Sequence, residues 1–302
     1  MTSKEENLLE DGGQDQVLAF TVTARNARGR FVRLGPTLDA ILSAHDYPGP
    51  IKHILSEALV LTAIMGSLLK EVGSQLTFQI QAEGAAIDLL VCDYRMGELR
   101  GYARYDEERL AGVGANPSLT ALFGEGYLAV TFDLAEADER YQGIVRVEGD
   151  TLSEACEAYF SQSEQVPTIL RAGIRSEGAR TIASGMLVQH FPDGEEGKAR
   201  LEARSDTLDW EHVAVLASSI RHDELVDPAL SLEQLVWRLF HAEGEIRVEP
   251  ASSVKRGCRC TSEHFKNVLM RFADDERATM RDSDGFVPVD CAFCSKVFRV
   301  AV

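Results

Sequence analysis

Leu76, Phe78 and Ile80 alternate with Thr77, Gln79 and Gln81, and a period of two marks a strand with one face buried. Strand-like runs follow at 87–91, 99–105, 127–132 and 143–147, separated by polar turns such as Arg95-Met-Gly97. Strands at this spacing predict an antiparallel meander packed against helices. Upstream, residues 20–24 and Phe31–Leu34 are strand candidates around a turn at Asn26–Gly29. Pro36 opens a helix with Leu38, Ile41 and Leu42 on one face. Pro50 opens a second, expected to end near Gly73. Its stretch from Ala58 to Leu69 is apolar nearly all round, which predicts a buried helix. At twelve residues the stretch falls well short of the ~20 needed to cross a bilayer, so no membrane partner is expected.

Further on, Thr151-Leu-Ser-Glu154 is a capping box that starts a helix with Leu152, Ala155, Cys156, Tyr159 and Phe160 on its apolar side. Cys156 reads as a core residue, and so does Cys92 beside the run Leu89–Val91. Residues 17–192 thus form an α+β domain. The character changes at Pro192: residues 193–249 hold fourteen acids against six bases, and Asp193–Gly197 is a turn or linker. Two amphipathic helices nevertheless lie in the region 193–254. One carries Trp210, Val213, Ala214, Ala217 and Ile220. The other starts at the capping box Ser231-Leu-Glu-Gln234 and carries Leu232, Leu235, Val236, Leu239 and Phe240. Neither can bury its stripe alone, so each must pack on the first domain or on a partner.

From residue 255 to 302 a cysteine module takes over. Cys258 and Cys260 form a C-x-C pair and Cys291 and Cys294 a C-x-x-C pair, with thirty residues between them. Two close pairs a short module apart suit one tetrahedral Zn2+ per chain, each pair giving two thiolates from one tight turn. The second pair lies between the β-patterned runs Val287–Val289 and Val297–Val300, as at the tip of a hairpin. His264 is near enough in sequence to compete as a ligand, but four thiolates already complete a tetrahedron. Between the pairs, Phe265, Val268, Leu269 and Phe272 form a helical stripe, and Asp282–Gly285 is a turn. A module of about 50 residues buries little apolar area and is expected to need its metal to fold.

Charge and composition narrow the chemistry. The start, Met1–Gln16, is polar and acidic with no basic-then-apolar signal, so a cytoplasmic location is expected. Thiols there stay reduced, which favours metal or redox use over structural disulfides. The net charge of −17 argues against nucleic acid, whose phosphates require Lys and Arg. The charge is uneven: residues 251–302 carry nine bases and seven acids, the rest 22 and 41, so a near-neutral module on an acidic body can dock electrostatically. The stretch Gly112-Val-Gly114-Ala-Asn-Pro117 lacks the third glycine of a dinucleotide fingerprint and reads as a loop. Asp106-Glu-Glu108 reads as solvated surface. The seven histidines show no metal spacing, and no nucleophile elbow occurs. No catalytic residue is expected.

The cysteine order together with His45-Asp-Tyr-Pro48, Tyr141-Gln-Gly-Ile-Val145, residues Tyr159–Thr168, and Leu239-Phe-His241 resembles the redox-regulated heat-shock chaperone family, the 33 kDa chaperonins. The resemblance spans residues 17 to 300; Thr261 departs from it, where a serine is usual after the C-x-C pair. It implies an α+β N-terminal domain of two β-sheets with a buried helix, a helical linker and a small C-terminal zinc-binding redox switch. It further implies a holdase for unfolded client proteins, zinc-bound and inactive when reduced, active when oxidised and unfolded, and then commonly a homodimer. Its redox-active disulfides would be Cys258–Cys260 and Cys291–Cys294, with Leu232, Leu235, Val236, Leu239 and Phe240 as the client-binding and coupling surface. Such pairings close only tiny loops and constrain the unfolded chain little, whereas losing zinc removes about 10–16 kcal/mol of folding energy. The module would then melt and uncover the linker's apolar stripes. Two other functions fit the cysteines less well. A thiol-disulfide oxidoreductase would put its C-x-x-C at a helix start, and a zinc ribbon for nucleic acid meets the acidic charge.

Overall fold

The computed structural model describes residues 13–135, 139–178, 180–191 and 208–302. In chain order they form β1 (Gln16–Val22), β2 (Ala27–Leu34), α1 (Pro36–Leu42), α2 (Gly49–Gly66), β3 (Gln75–Gln81), β4 (Ile87–Arg95) and β5 (Glu98–Tyr105). Next come α3 (Glu107–Gly112), α4 (Leu119–Phe123), β6 (Tyr127–Leu134), β7 (Glu139–Arg146), α5 (Leu152–Tyr159), β8 (Thr168–Glu177) and β9 (Arg180–His190). The remainder is α6 (Leu208–Ser218), α7 (His222–Leu225), α8 (Leu232–Phe240), β10 (Ile246–Val248), β11 (Ser252–Ser253), β12 (Lys255–Arg256), α9 (Ser262–Leu269), α10 (Asp274–Met280), β13 (Val287–Asp290) and β14 (Val297–Val300). The expected turn at Asp193–Gly197 lies outside the described residues.

Helix α2 is the centre of the body. Every residue from Ile54 to Gly66 is buried, because α2 lies between two sheets and contributes to one core with both. Its buried hydroxyls are satisfied within the helix: Ser56 donates to the Lys52 carbonyl and Thr62 to that of Ala58, both at 2.6 Å. It stops at Gly66, seven residues before the glycine at which the sequence placed its end. Ser67 turns its hydroxyl onto the Ile64 carbonyl, and the Leu68 and Leu69 amides reach back only three residues, to Met65 and Gly66. Those tightened bonds close the helix.

The first sheet has the order β10-β1-β2-β9-β8, with β11 also on the free edge of β1. The β1–β2 turn is shorter than expected. A single 3-10 turn at Thr23–Arg25 and Asn26 in the left-handed region make it, and Ala27–Gly29 already belong to β2. Alternation sends Val17, Val32, Leu34 and Leu187 toward α2. It sends Leu18, Phe20, Phe31, Met186 and Val188 to the opposite face, where α6 and α8 cover them. The two linker stripes therefore pack on the first sheet.

The second sheet is not a simple meander: its order is β12-β5-β4-β3-β6-β7. The chain leaves β5 through α3 and α4 and returns as β6 beside β3, opposite β4. Within it, Arg95 pairs with Glu98, and Met96 and Gly97 both have positive φ, the geometry of a two-residue type I′ hairpin turn.

Residues 246–256 carry short strands that no sequence period announces. Strands β10 and β11 pair with β1 of the first sheet, and β12 runs parallel to β5 of the second. One segment thus joins both sheets before the first cysteine pair.

Candidate metal centre

The Cys258–Cys260 pair follows β12 directly, where the Gly257 amide donates to the Leu99 carbonyl at 2.9 Å. A Cβ at Gly257 would come within 2.5 Å of the Glu98 side chain, so glycine permits this approach. The second pair sits in the connection between β13 and β14, which pair antiparallel. There the Cys291 amide bonds the Lys296 carbonyl, and the Cys294 and Ser295 amides fold back onto the Cys291 carbonyl. This is the hairpin knuckle expected from the flanking valines. Thr261 caps α9 by accepting from the His264 amide at 3.0 Å, a task a serine hydroxyl performs equally.

All four Sγ atoms lie within 4.8 Å of one another. Cys258 is 3.3 Å from Cys260 and 3.6 Å from Cys291, and Cys260 is 3.6 Å from Cys294. Zn–S bonds of ~2.3 Å in a tetrahedron give S···S edges of about 3.8 Å, so the donor set and its spacing fit one such ion. None of the six cysteines is in a disulfide. Burial opposes ionisation of Cys258, but the Cys260 amide and the other thiols outweigh it and bring Cys258 down to about 7. Burial, and then the neighbouring sulfurs, push Cys260 and Cys291 up. A divalent cation reverses that repulsion and draws all its ligands into the thiolate form.

The module's own core is small. Leu269, Val287, Cys291, Phe298 and Val300 are its buried cluster, with the other three cysteines packed against it. The expected helical stripe is split: Leu269 is buried, Phe265 is half-buried, and Val268 and Phe272 are exposed. The four cysteines thus occupy much of the space that apolar side chains fill in a larger domain.

Contacts with the body come from residues to which the sequence assigned no role, His45 among them although its segment carries the resemblance. Arg259, inside the C-x-C pair, donates to Gln75 at 2.9 Å and to Asp93 at 3.4 Å. Asp93 also accepts from Thr77 and Arg100, both at 2.7 Å. Phe293, inside the C-x-x-C pair, meets the Tyr102 ring edge-on at 4.9 Å between centroids, with the Arg100 guanidinium 3.9 Å from its own. The His45 imidazole donates from Nε2 to the Ala292 carbonyl at 2.8 Å, and the Ser295 hydroxyl lies 3.1 Å from Nδ1. In one dimension Arg259, flanked by two cysteines, reads as a solvated cation, and its carboxylate partner is visible only in the fold.

On the other side of the body, Leu232, Leu235, Val236 and Phe240 are buried and Leu239 is partly buried, all in the core shared with the first sheet. The α8 capping box forms in both directions: Ser231 accepts from the Gln234 amide and Gln234 from that of Ser231. The box at Thr151 is only half made, as Glu154 reaches back to the Asp150 amide instead. Asp106, read as surface, caps α3 through the Arg109 amide. Arg33, with no exposed surface, donates to the Leu230 and Leu225 carbonyls that flank the turn between α7 and α8. Cys92 and Cys156 are fully buried, and burial pushes both thiols well up. Among the described residues no helix is long and apolar enough to cross a membrane.

Two sheets around a buried helix, followed by a four-cysteine module, are the architecture of heat-shock chaperonins of the 33 kDa class. The Hsp33 protein family model matches residues 15–301, and the chain belongs to that family. The "33 kDa chaperonin" of Caulobacter vibrioides is 38% identical over 295 residues, covering 95% of this chain and 94% of that one. The protein of the same name from Shigella boydii is 34% identical over 93% and 90%. A crystal structure of the 33 kDa chaperonin from Thermotoga maritima shares the fold with a TM-score of 0.76 at 20% identity, covering 95% of both chains.

Proposed function

We propose that this protein is a redox-switched holdase that keeps unfolding proteins from aggregating under oxidative stress, without catalytic turnover. Its parts are a body (17–192), a helical linker (193–254) and a switch module (255–302). In the reduced state Cys258, Cys260, Cys291 and Cys294 hold one Zn2+. The observation that carries this reading is the unbridged sulfur tetrad inside a module with only five buried residues in its core cluster. Metal ligation is then the module's main source of stability.

Oxidation removes that source. Cys258 with Cys260, and Cys291 with Cys294, each form a disulfide by giving up two electrons. For each bond one hydrogen peroxide takes up those electrons and two protons and leaves as two waters. The sulfurs would then no longer serve as thiolate ligands able to hold Zn2+, and the module unfolds. The linker helices α6 and α8 then lift from the first sheet, and their stripes and the sheet face become available to unfolded clients in the cytoplasm. Oxidised chains pair as homodimers. A thiol-disulfide oxidoreductase is disfavoured because Cys291 and Cys294 sit in a β-hairpin connection rather than at a helix start.

The test is to measure bound zinc, free thiols and suppression of client aggregation before and after peroxide. One zinc per reduced chain, lost as four thiols disappear and suppression appears, is expected. Insulin reduction at a sustained rate, or suppression that ignores the redox state, contradicts the proposal.

A further inference from the structure

The two cysteine turns present their intervening side chains to one spot on the body. Arg259 is the residue between Cys258 and Cys260, and Phe293 is one of the two between Cys291 and Cys294. They are far apart in sequence, yet both end on neighbouring residues of β4 and β5. Arg100 joins them, bonding Asp93 on one side and lying over the Phe293 ring on the other. Asp93 is nearly fully buried, and Thr77 and Arg100 satisfy it even without Arg259. The patch is therefore built in advance of docking, which lowers the ordering cost of binding.

We propose that Asp93, Arg100 and Tyr102 form a docking receptor that engages both thiolate turns together, so that docking and metal retention reinforce each other. The arms reach the receptor simultaneously only when the sulfur tetrad holds them at their present separation. By linkage, whatever favours the tetrad favours docking, and docking favours the tetrad by the same factor. The β12–β5 ladder, through Glu98 and Leu99, and the His45 contacts to Ala292 and Ser295 also hold the module over the patch. The second sheet thus sets how readily the switch opens, in addition to the linker on the first. The inference rests on the metal reading above and adds a positioning role for residues outside the module.

The experiment uses the reduced full-length chain. Alkylation of Cys258, Cys260, Cys291 and Cys294 by N-ethylmaleimide is followed by mass spectrometry for the parent, Tyr102→Ala, Phe293→Ala, their combination, and Lys266→Gln as a control on the exposed face of α9. Tyr102 lies outside the module and is not one of the β5 residues that pair with β12, so its effect on the thiols is read as that of the dock. An edge-on aromatic contact corresponds to a few-fold to about tenfold effect. Each single variant is expected to be alkylated about three- to tenfold faster, the combination no faster than the faster single, and Lys266→Gln at the parent rate. Alkylation of Tyr102→Ala at the parent rate, or additive effects in the combination, overturns the dock. Zinc content of the parent, measured on the same samples, judges the metal reading separately, and the alkylation comparison decides the dock whichever way that falls.

Discussion

Phe240 offers the sharpest test of how the linker is held. It has no exposed surface, its ring lies 5.6 Å from Phe20, and Phe20 stacks on Phe31 at 5.7 Å. Deleting a buried phenylalanine costs ~3–5 kcal/mol. Phe240→Asp adds the penalty of a carboxylate with no partner in an apolar core. About 3 kcal/mol alone moves a local opening equilibrium by more than 100-fold, so α8 is expected to leave the sheet. Cys258 lies eighteen residues further on, and its module has a separate core, so zinc is expected to stay. The variant should therefore suppress aggregation of a heat-denatured client, and bind an apolar dye, with reductant present and zinc still loaded. Trp237→Asp on the exposed face of the same helix, where the side chain is 64% exposed, should behave as the parent does. A folded, zinc-loaded Phe240→Asp protein that stays silent until peroxide is added would show that α8 does not gate activity.

Arg33→Met strips the Leu225 and Leu230 carbonyls of their donor at a cost of about 2–5 kcal/mol, and hydrogen exchange across 222–240 should speed up under reducing conditions; unchanged protection refutes the clamp. Cys92→Ala with Cys156→Ala should leave peroxide-driven zinc loss intact, since neither buried thiol reaches the tetrad; a lost response, with the fold preserved, contradicts that. Burial raises the Glu57 carboxyl above its ordinary 4.5, against the opposing bonds from Ser153. A raised carboxyl contributes stability that is full below 4.5 and is lost as pH climbs through the higher native value. Thermal midpoints from pH 4 upward should thus fall more in the parent than in Glu57→Gln, which keeps an acceptor for the Ser153 amide; parallel curves refute it.

The features legible in sequence are those with local causes. Alternation at Leu76–Ile80, the box at Ser231 and the valines around the C-x-x-C pair each act within a few residues, and each forms the predicted element. What escaped depends on distant partners. Strands β10, β11 and β12 have two or three residues each, too few to show a period, and exist because β1 and β5 offer open edges. The return of β6 to β3 is a choice among edges that strand patterns do not rank. Arg33 and Arg259 look like solvated cations in one dimension. Only the folded chain brings carbonyls to the first and a buried carboxylate to the second. The four cysteines were legible as a set because their spacing is itself the chemistry.

The placement of β10 and β11 on β1 has a consequence for synthesis on the ribosome. The four main strands of the first sheet are complete once His190 has emerged, but its outer face stays bare until α6 and α8 follow, and its edge stays open until Ser253. The last of the four cysteines, Cys294, comes roughly 5–20 s after His190 at typical elongation rates. Every new chain therefore passes through an interval in which the surface later covered by the linker faces solvent with no cover of its own. Under the proposed function the module that follows would secure that cover, so a shortage of zinc during translation should yield chains with the same open surface as that proposed for oxidised ones.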